Sequence, residues 1–289
     1  MIYVSYLRYC LDCKKGIADL HVHSTASDGH YSPYELAKMA QRKGLQYLAI
    51  TDHDTTAGLE QLENMKEPRL LEIIPGIELS TEYEGHEIHI LGYSLDYNNT
   101  KLQDTLKTLA VARRERVYRI VKKLQEAGFM ITIEDIKTHA VDAVSLGRPH
   151  VALALLEKGL VSSISEAFEK LLTKGRPGYV ARYRILPQEA ISLIIGAGGY
   201  PVLAHPGSGF DLKLLPILIK EGLLGLEVFY PQHNLEMQEY YYQIAQINNL
   251  LITGGSDFHG HEGNDNSFFG NIPIPAYTIS LLTRTSKNR

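Results

Sequence analysis

The sequence predicts an α/β protein, with strands and helices alternating around a barrel and an all-helical subdomain inserted midway. Three observations carry this reading. About seven short apolar runs alternate with helical patterns over 17–98 and 187–289. Between them, 99–186 shows helical periodicity with no strand pattern until about Tyr179. An open doubly wound sheet is the alternative, but no GxGxxG follows the first strand to mark it as a dinucleotide fold.

Residues 1–16, MIYVSYLRYCLDCKKG, lie ahead of this pattern. Their apolar stretch is broken by Arg8 and Asp12 and no small-residue cleavage site follows, so they read as an extension rather than a signal peptide. A disordered or mis-assigned start explains them as well as a strand does. The expected strands are 17–20, 47–51, 73–79, 88–93, 200–204, 225–229 and 250–253. Helices are expected over 33–42, 56–65, 187–195, 212–220 and 235–246. Pro33 and Pro187 suit first-turn positions, with Ser32 a cap ahead of the former. The insertion reads as one long helix over 100–127, followed by shorter ones at 134–140, 149–157 and 165–172.

Composition narrows the class. The chain has 289 residues, 44% of them hydrophobic, enough for a large core. No apolar run approaches the ~20 residues of a membrane helix. The only cysteines, Cys10 and Cys13, are too few for a four-ligand zinc or iron–sulfur site. Their scarcity favours a reducing cytoplasm. Net charge is −4, yet 99–186 holds sixteen Lys/Arg against nine Asp/Glu. A basic insertion on an acidic body fits an anion-binding cap beside a metal bed.

The chemistry begins in ADLHVHSTASDGH at 18–30. His21 and His23, two apart on a strand, face the same side and can share an ion; alone, they read equally as one exposed histidine and a neighbour. Later motifs tip the balance. LAITDHD carries His53 with Asp52 and Asp54. PGIELS carries Glu78, and HEIHILGY carries His86 and His89. PVLAHPG carries His205, and ITGGSDFHGH carries Asp257, His259 and His261. In a barrel these strand ends meet at one rim. Imidazoles and carboxylates together suit zinc, manganese or iron, and a carboxylate such as Asp28, Glu78 or Asp257 can bridge two ions. So many donors exceed one ion, and two or three ions can polarise a phosphate ester and activate water. Asp52 and Asp54 are expected to orient His53 or cap the next helix, Asp19 to be structural, and His30, His86, His139 and His261 to lie on the surface.

These motifs, DLHVHSTASDG, TDHD, PGIELS, EIHILGY, AHPG and SDFHG in this order, resemble the PHP (polymerase and histidinol phosphatase) superfamily from Ile17 onward. The resemblance implies a distorted (β/α)7 barrel with a trinuclear metal site. Carried over by position, it implies the ligands His21, His23, Asp28, His53, Glu78, His89, His205, Asp257 and His259, holding two or three divalent ions (Mn, Fe or Zn). The SDG form, the helical insertion and LGRPH at 146–150 resemble a narrower branch: nucleoside 3′,5′-bisphosphate phosphatases and 5′→3′ exonucleases acting on short RNA or DNA. The expected reaction is hydrolysis of a nucleotide 5′-phosphate ester by a metal-bound hydroxide, with no protein nucleophile. Ser24 and Ser27 are turn residues in this reading. The alternatives are a phosphatase of another small ester, such as a histidinol-phosphate-like compound, and a non-catalytic regulatory module; the intact ligand set speaks against the latter.

The expected partner is a nucleotide or a short 5′-phosphorylated oligonucleotide, with no membrane and no obligate protein partner. Arg148 and His150, in GRPH, are candidates for gripping a second phosphate, which a guanidinium fork does well. Lys174 and Arg182 would line the same mouth, and His233 would border it. Most of RRERVYRIVKK reads as a solvated helix face. Tyr83, Tyr93, Tyr179 and Tyr230 are candidates for base stacking, with packing the default.

Overall fold

Seven strands hydrogen-bond in chain order into one curved, nearly closed sheet. The computed structural model describes residues 13–14, 16–63, 71–139, 147–181, 183–260 and 267–286. In chain order the elements are β1 (Cys13–Lys14), β2 (Ala18–Val22), α1 (Pro33–Arg42), β3 (Tyr47–Ile50), α2 (Ala57–Glu63), β4 (Glu72–Tyr83), β5 (His86–Tyr93), α3 (Thr100–Glu126), α4 (Ile133–Lys137), α5 (Arg148–Glu157) and α6 (Ile164–Ala167). They continue with α7 (Pro187–Gly196), β6 (Tyr200–Leu203), α8 (Leu215–Lys220), β7 (Gly225–Phe229), α9 (Leu235–Ile247), β8 (Leu251–Gly254), β9 (Ile274–Pro275) and α10 (Ala276–Ser286). The sheet runs β2 to β8. Its two edges meet where Val22 bridges Phe258, with His23 N–H donating to the Phe258 carbonyl at 2.9 Å. β1 pairs with β9 in a separate two-stranded ribbon, so Cys13 and Lys14 of the leading segment are tied to the fold. Cys10 lies outside the described residues.

The elements follow their local chemistry. Helix α1 starts at a capping box, in which the Ser32 hydroxyl accepts the Glu35 N–H and the Glu35 carboxylate accepts the Ser32 N–H. Pro33 follows, where a missing N–H costs nothing. Asn99 caps α3 by accepting the Leu102 N–H.

One expectation is corrected. A fully parallel sheet would follow from strict strand–helix alternation, but β5 runs antiparallel to both β4 and β6. The reason is local: no helix separates β4 from β5. The turn Glu84-Gly85 has φ of +49° and +84°, the left-handed pair that a two-residue hairpin needs. β4 therefore continues to Tyr83, beyond the expected end at Leu79, and past its ladder with β3 it pairs with β5 and is bridged singly by His53 and Ile185. Helix α10 was also unforeseen. Its Ile279 and Leu282 close one end of the barrel against Ala18, Leu20 and Tyr93.

Among the described residues, those between β5 and α7 contain helices only, including a π-helical turn at Phe168–Leu172. They hold their own apolar cluster, with Val117, Ile120, Leu124, Val151, Leu155 and Leu172 at its centre. The first half of α3 instead sends Leu102, Leu106 and Leu109 into the barrel core beside Ile191 and Ile194. One rigid helix thus spans both parts.

Candidate metal centre

The rim is built by close backbone approach. β2 places His21 and His23 on one face, both fully buried. Asp19 fixes its strand by accepting the Ser256 and Gly270 N–H groups at 3.0 and 2.8 Å. Gly255 lies so near that a Cβ there would sit 2.2 Å from the His21 Cβ. Gly29 of SDG is equally confined, because a Cβ would meet the His23 carbonyl oxygen at 2.2 Å. Asp52 organises the intervening turn. Its carboxylate accepts Ser24 N–H at 2.7 Å and the hydroxyls of Ser24 and Ser27 at 2.7 and 2.6 Å, which leaves Asp28 at the cluster. Asp54 takes φ of +54°, accepts the Ser80 N–H at 2.8 Å and pairs with Arg113. Neither aspartate belongs to the donor groups described next.

All nine residues singled out in the sequence converge. Four overlapping groups form: His21, His23, Glu78 and Asp257; His23, Asp28, His53 and His259; His53, Glu78 and His89; and His21, His205 and Glu227. Within each group the donor atoms lie within 4.8 Å of one another. In the first, the Nε2 atoms of His21 and His23 are 3.1 Å apart, and both stand 3.0–3.3 Å from Glu78 Oε2 and Asp257 Oδ1. Donors ~2.1 Å from a shared ion have about this spacing between them. His89 Nδ1 and His205 Nε2 face Glu78 Oε1 at 2.9 and 3.0 Å. His89 enters from the amino half of β5, because that strand is reversed.

The donor set fits divalent ions. Three buried atoms, His23 Nδ1, His53 Nδ1 and Glu78 Oε2, have no hydrogen-bond partner, although the last two are only 3.0 Å apart. Each such atom costs about 1–3 kcal/mol unless something satisfies it. Nitrogen and carboxylate oxygen together suit borderline ions. The floor of the site, His21, His23 and Glu78, is sealed, whereas the side chains of Asp257, His205 and His259 are 19%, 21% and 24% exposed. The open face lies on their side.

Carboxylates dominate the electrostatics. Burial pushes the His21 imidazole towards neutrality, but Glu227, Glu78 and Asp257 hold its pKa well above the ordinary range. Burial also opposes protonation of His89 and His259, and nearby Glu78 and Asp28 nonetheless raise them to about 10. At His53 burial wins and the value falls to about 4.

One member of the cluster was not foreseen. Glu227, fully buried on β7, accepts from His21 Nδ1 at 3.0 Å and from the His205 N–H at 2.8 Å. The signal was legible: an ionisable residue between Leu226 and Val228, inside an otherwise apolar strand. Tyr230 supports the same side by donating to Asp257 Oδ2 at 3.1 Å.

The candidates for substrate contact fare differently. Arg148 opens α5 with its Nη2 3.6 Å from Glu87 Oε2. His150 is corrected: it is buried, and its Nδ1 accepts the Gly147 N–H at 3.1 Å, closing the start of α5. His233 is corrected likewise. It is buried, donates from Nδ1 to the Val228 carbonyl at 2.9 Å and accepts the Gly207 N–H at Nε2. It braces the loop that carries His205. Lys174 is exposed and has no hydrogen bond or ion pair among the described residues. Arg182 and His261 lie outside the described residues. Tyr93 is a core residue.

Three arginines not expected at the site stand near it. Arg113 and Arg116 point inward from α3, with Arg113 on Asp54 and Arg116 Nε donating to the Val180 carbonyl at 2.8 Å. Arg184 sets Nη1 3.0 Å from Glu82 and Nη2 2.9 Å from Glu87. Burial, together with the neighbouring Arg148 and Arg184, brings Arg116 down to about 10. The solvated-face reading of RRERVYRIVKK therefore fails at Arg113 and Arg116. Their three-residue spacing puts them on the face of Val117 and Ile120, a signal present in the sequence.

Comparison with known proteins agrees with this geometry. The PHP domain model matches residues 19–179. A 3′,5′-nucleoside bisphosphate phosphatase from Chromobacterium violaceum is 32% identical over 263 residues, covering 88% of this chain and 92% of that protein. A 5′-3′ exoribonuclease from Haemophilus influenzae is 39% identical over 247 residues, covering 83% and 89%. A solved structure of a candidate metal-dependent phosphoesterase from Bifidobacterium adolescentis superposes with a TM-score of 0.84 at 31% identity, covering 93% and 96%.

Proposed function

The chain belongs to the PHP family, and on that premise we propose that it is a metal-dependent phosphoesterase of nucleotides, acting on nucleoside 3′,5′-bisphosphates, on short 5′-phosphorylated strands, or on both. The observation that carries this is the convergence of nine donors from six strand-linked segments, with buried donor atoms that no protein group satisfies. His21, His23, Asp28, His53, Glu78, His89, His205, Asp257 and His259 would hold two or three ions, of manganese, iron or zinc. Bound there, such ions supply Lewis acidity, both to activate water near neutral pH and to neutralise charge on phosphorus.

The protein's own residues do the rest. Glu227 fixes the His21 ring and the His205 backbone. Asp52 holds the turn that presents Asp28. With Glu227 counted, the four cluster carboxylates balance two divalent ions, so a third ion would leave the site with a positive charge that attracts phosphate. A cavity of about 680 Å³ opens beside His89 and His205, bounded by Tyr83, Phe210 and Lys213, within the size range of small-ligand sites. Arg148 and Arg184, with Arg116 behind them, would take a second phosphate that is not cleaved. No side chain is assigned as nucleophile. The low cysteine count supports a cytoplasmic setting.

Replacing both His21 and His23 with alanine is expected to abolish phosphate release from a nucleoside 3′,5′-bisphosphate and to lower the bound-metal content, while the circular dichroism spectrum stays that of a folded α/β protein. Full turnover in that variant would overturn the reading.

A further inference from the structure

Glu87 occupies an unusual position. One carboxylate oxygen faces Arg184 at 2.9 Å and Arg148 at 3.6 Å; the other faces His89 Nε2 at 3.2 Å. Its side chain is 36% exposed, against 9% for Arg184. It also lines the cavity beside His89 and His205, whereas among the described residues neither Arg148 nor Arg184 does. Seen from the cavity, a carboxylate stands in front of two guanidinium groups. Arg184 Nε, buried, has no hydrogen-bond partner, so the fork is incompletely used.

Carboxylate and phosphate compete for the same guanidinium forks. We propose that Glu87 is a displaceable occupant of the arginine pocket. It holds Arg148 and Arg184 where a substrate phosphate needs them, and it yields only to an anion of higher charge. The inference rests on the reading of these arginines as the second-phosphate site. Selection follows from the competition. A doubly charged terminal phosphate displaces the singly charged carboxylate, whereas a hydroxyl end or a lone monoanion does not. Glu87 is thereby a specificity-determining residue that favours phosphorylated ends. It is also a positioning residue: once released from the arginines, it still faces His89 Nε2, and a carboxylate on the distal ring nitrogen of a ligand histidine orients that ring.

The test uses metal-free full-length protein and inorganic sulfate as the probe, titrated by calorimetry. Glu87→Gln keeps the shape and removes the charge. It is expected to bind sulfate about tenfold more tightly than the parent, the scale of one charge-assisted hydrogen bond freed from competition. Arg148→Met is expected to weaken sulfate binding, and Glu87→Gln combined with Arg148→Met to lose the gain. Glu87→Ser, with no amide to donate, should reproduce the direction. In the loaded enzyme, Glu87→Gln should alter the KM for a nucleoside 3′,5′-bisphosphate more than the KM for the corresponding 5′-monophosphate, which carries no second phosphate. If Glu87→Gln binds sulfate no more tightly while Arg148→Met binds it more weakly, the occupant role is overturned and the phosphate pocket stands. If none of the variants alters sulfate binding, both are overturned.

Discussion

Glu227 shows what a single residue contributes here. It touches no open face, yet it fixes the His21 ring through Nδ1 and the His205 main chain through its amide. Carboxylates behind ligand histidines are worth about 10–100-fold in metal affinity. Glu227→Gln is therefore expected to weaken manganese binding by that factor in equilibrium dialysis, with thermal stability of the metal-free protein changing far less. At this scale the residues that converge were legible because motif residues and their spacing are local. His150, after Pro149, and His233, in a loop after Pro231, carry no sequence signal that separates ligand contact from bracing a local backbone turn. Only the distances to the Gly147 and Gly207 amides separate the two.

Among elements, β5 matters most. Its reversal puts His89 and Glu87 two residues apart on the same strand, one facing Glu78 and the other facing the arginines of the helical segment. The short strand pair thus joins two charged regions that parallel connectivity would keep apart. The sequence placed β5 within two residues of its true start, but its direction was hidden, because Glu84-Gly85 is a weaker turn signal than Asn-Gly. Helix α3, expected over 100–127, spans Thr100–Glu126, and most of its charge run is solvated as expected, with Arg113 and Arg116 the buried exceptions. Replacing Arg148, at the start of α5, with alanine should reduce kcat/KM for a 3′,5′-bisphosphate by about 10- to 100-fold, the worth of one to two charge-assisted bonds. A 5′-monophosphate should lose much less. Equal losses would remove Arg148 from second-phosphate binding.

For the whole molecule, the cluster couples stability to pH and to metal. His89 and His259 have folded-state values near 10 against 6.5 for a free imidazole. Their raised values stabilise the metal-free fold fully below about pH 6.5, and that contribution is lost as pH rises through about 10. Metal-free protein should therefore show a falling melting temperature between pH 7 and 10. Protein saturated with manganese should hold its melting temperature over the same range, because binding replaces those protons. Parallel pH profiles for the two forms would contradict this. The barrel itself was legible from seven apolar runs, whereas α10 was not, because its apolar residues Ile279, Leu281 and Leu282 lie among β-branched threonines without a clear helical stripe.

The closing edge of the barrel has one more consequence. His21 and His23 belong to the first strand of the sheet, and Asp257 and His259 follow its last, on either side of the Val22–Phe258 bridge. Ions shared between them would act as a clasp between the two ends of the chain. On the ribosome, the early histidines emerge more than two hundred residues before their partners. The two donor groups that include Asp257 or His259 are therefore complete only once this late segment has closed against the first strand.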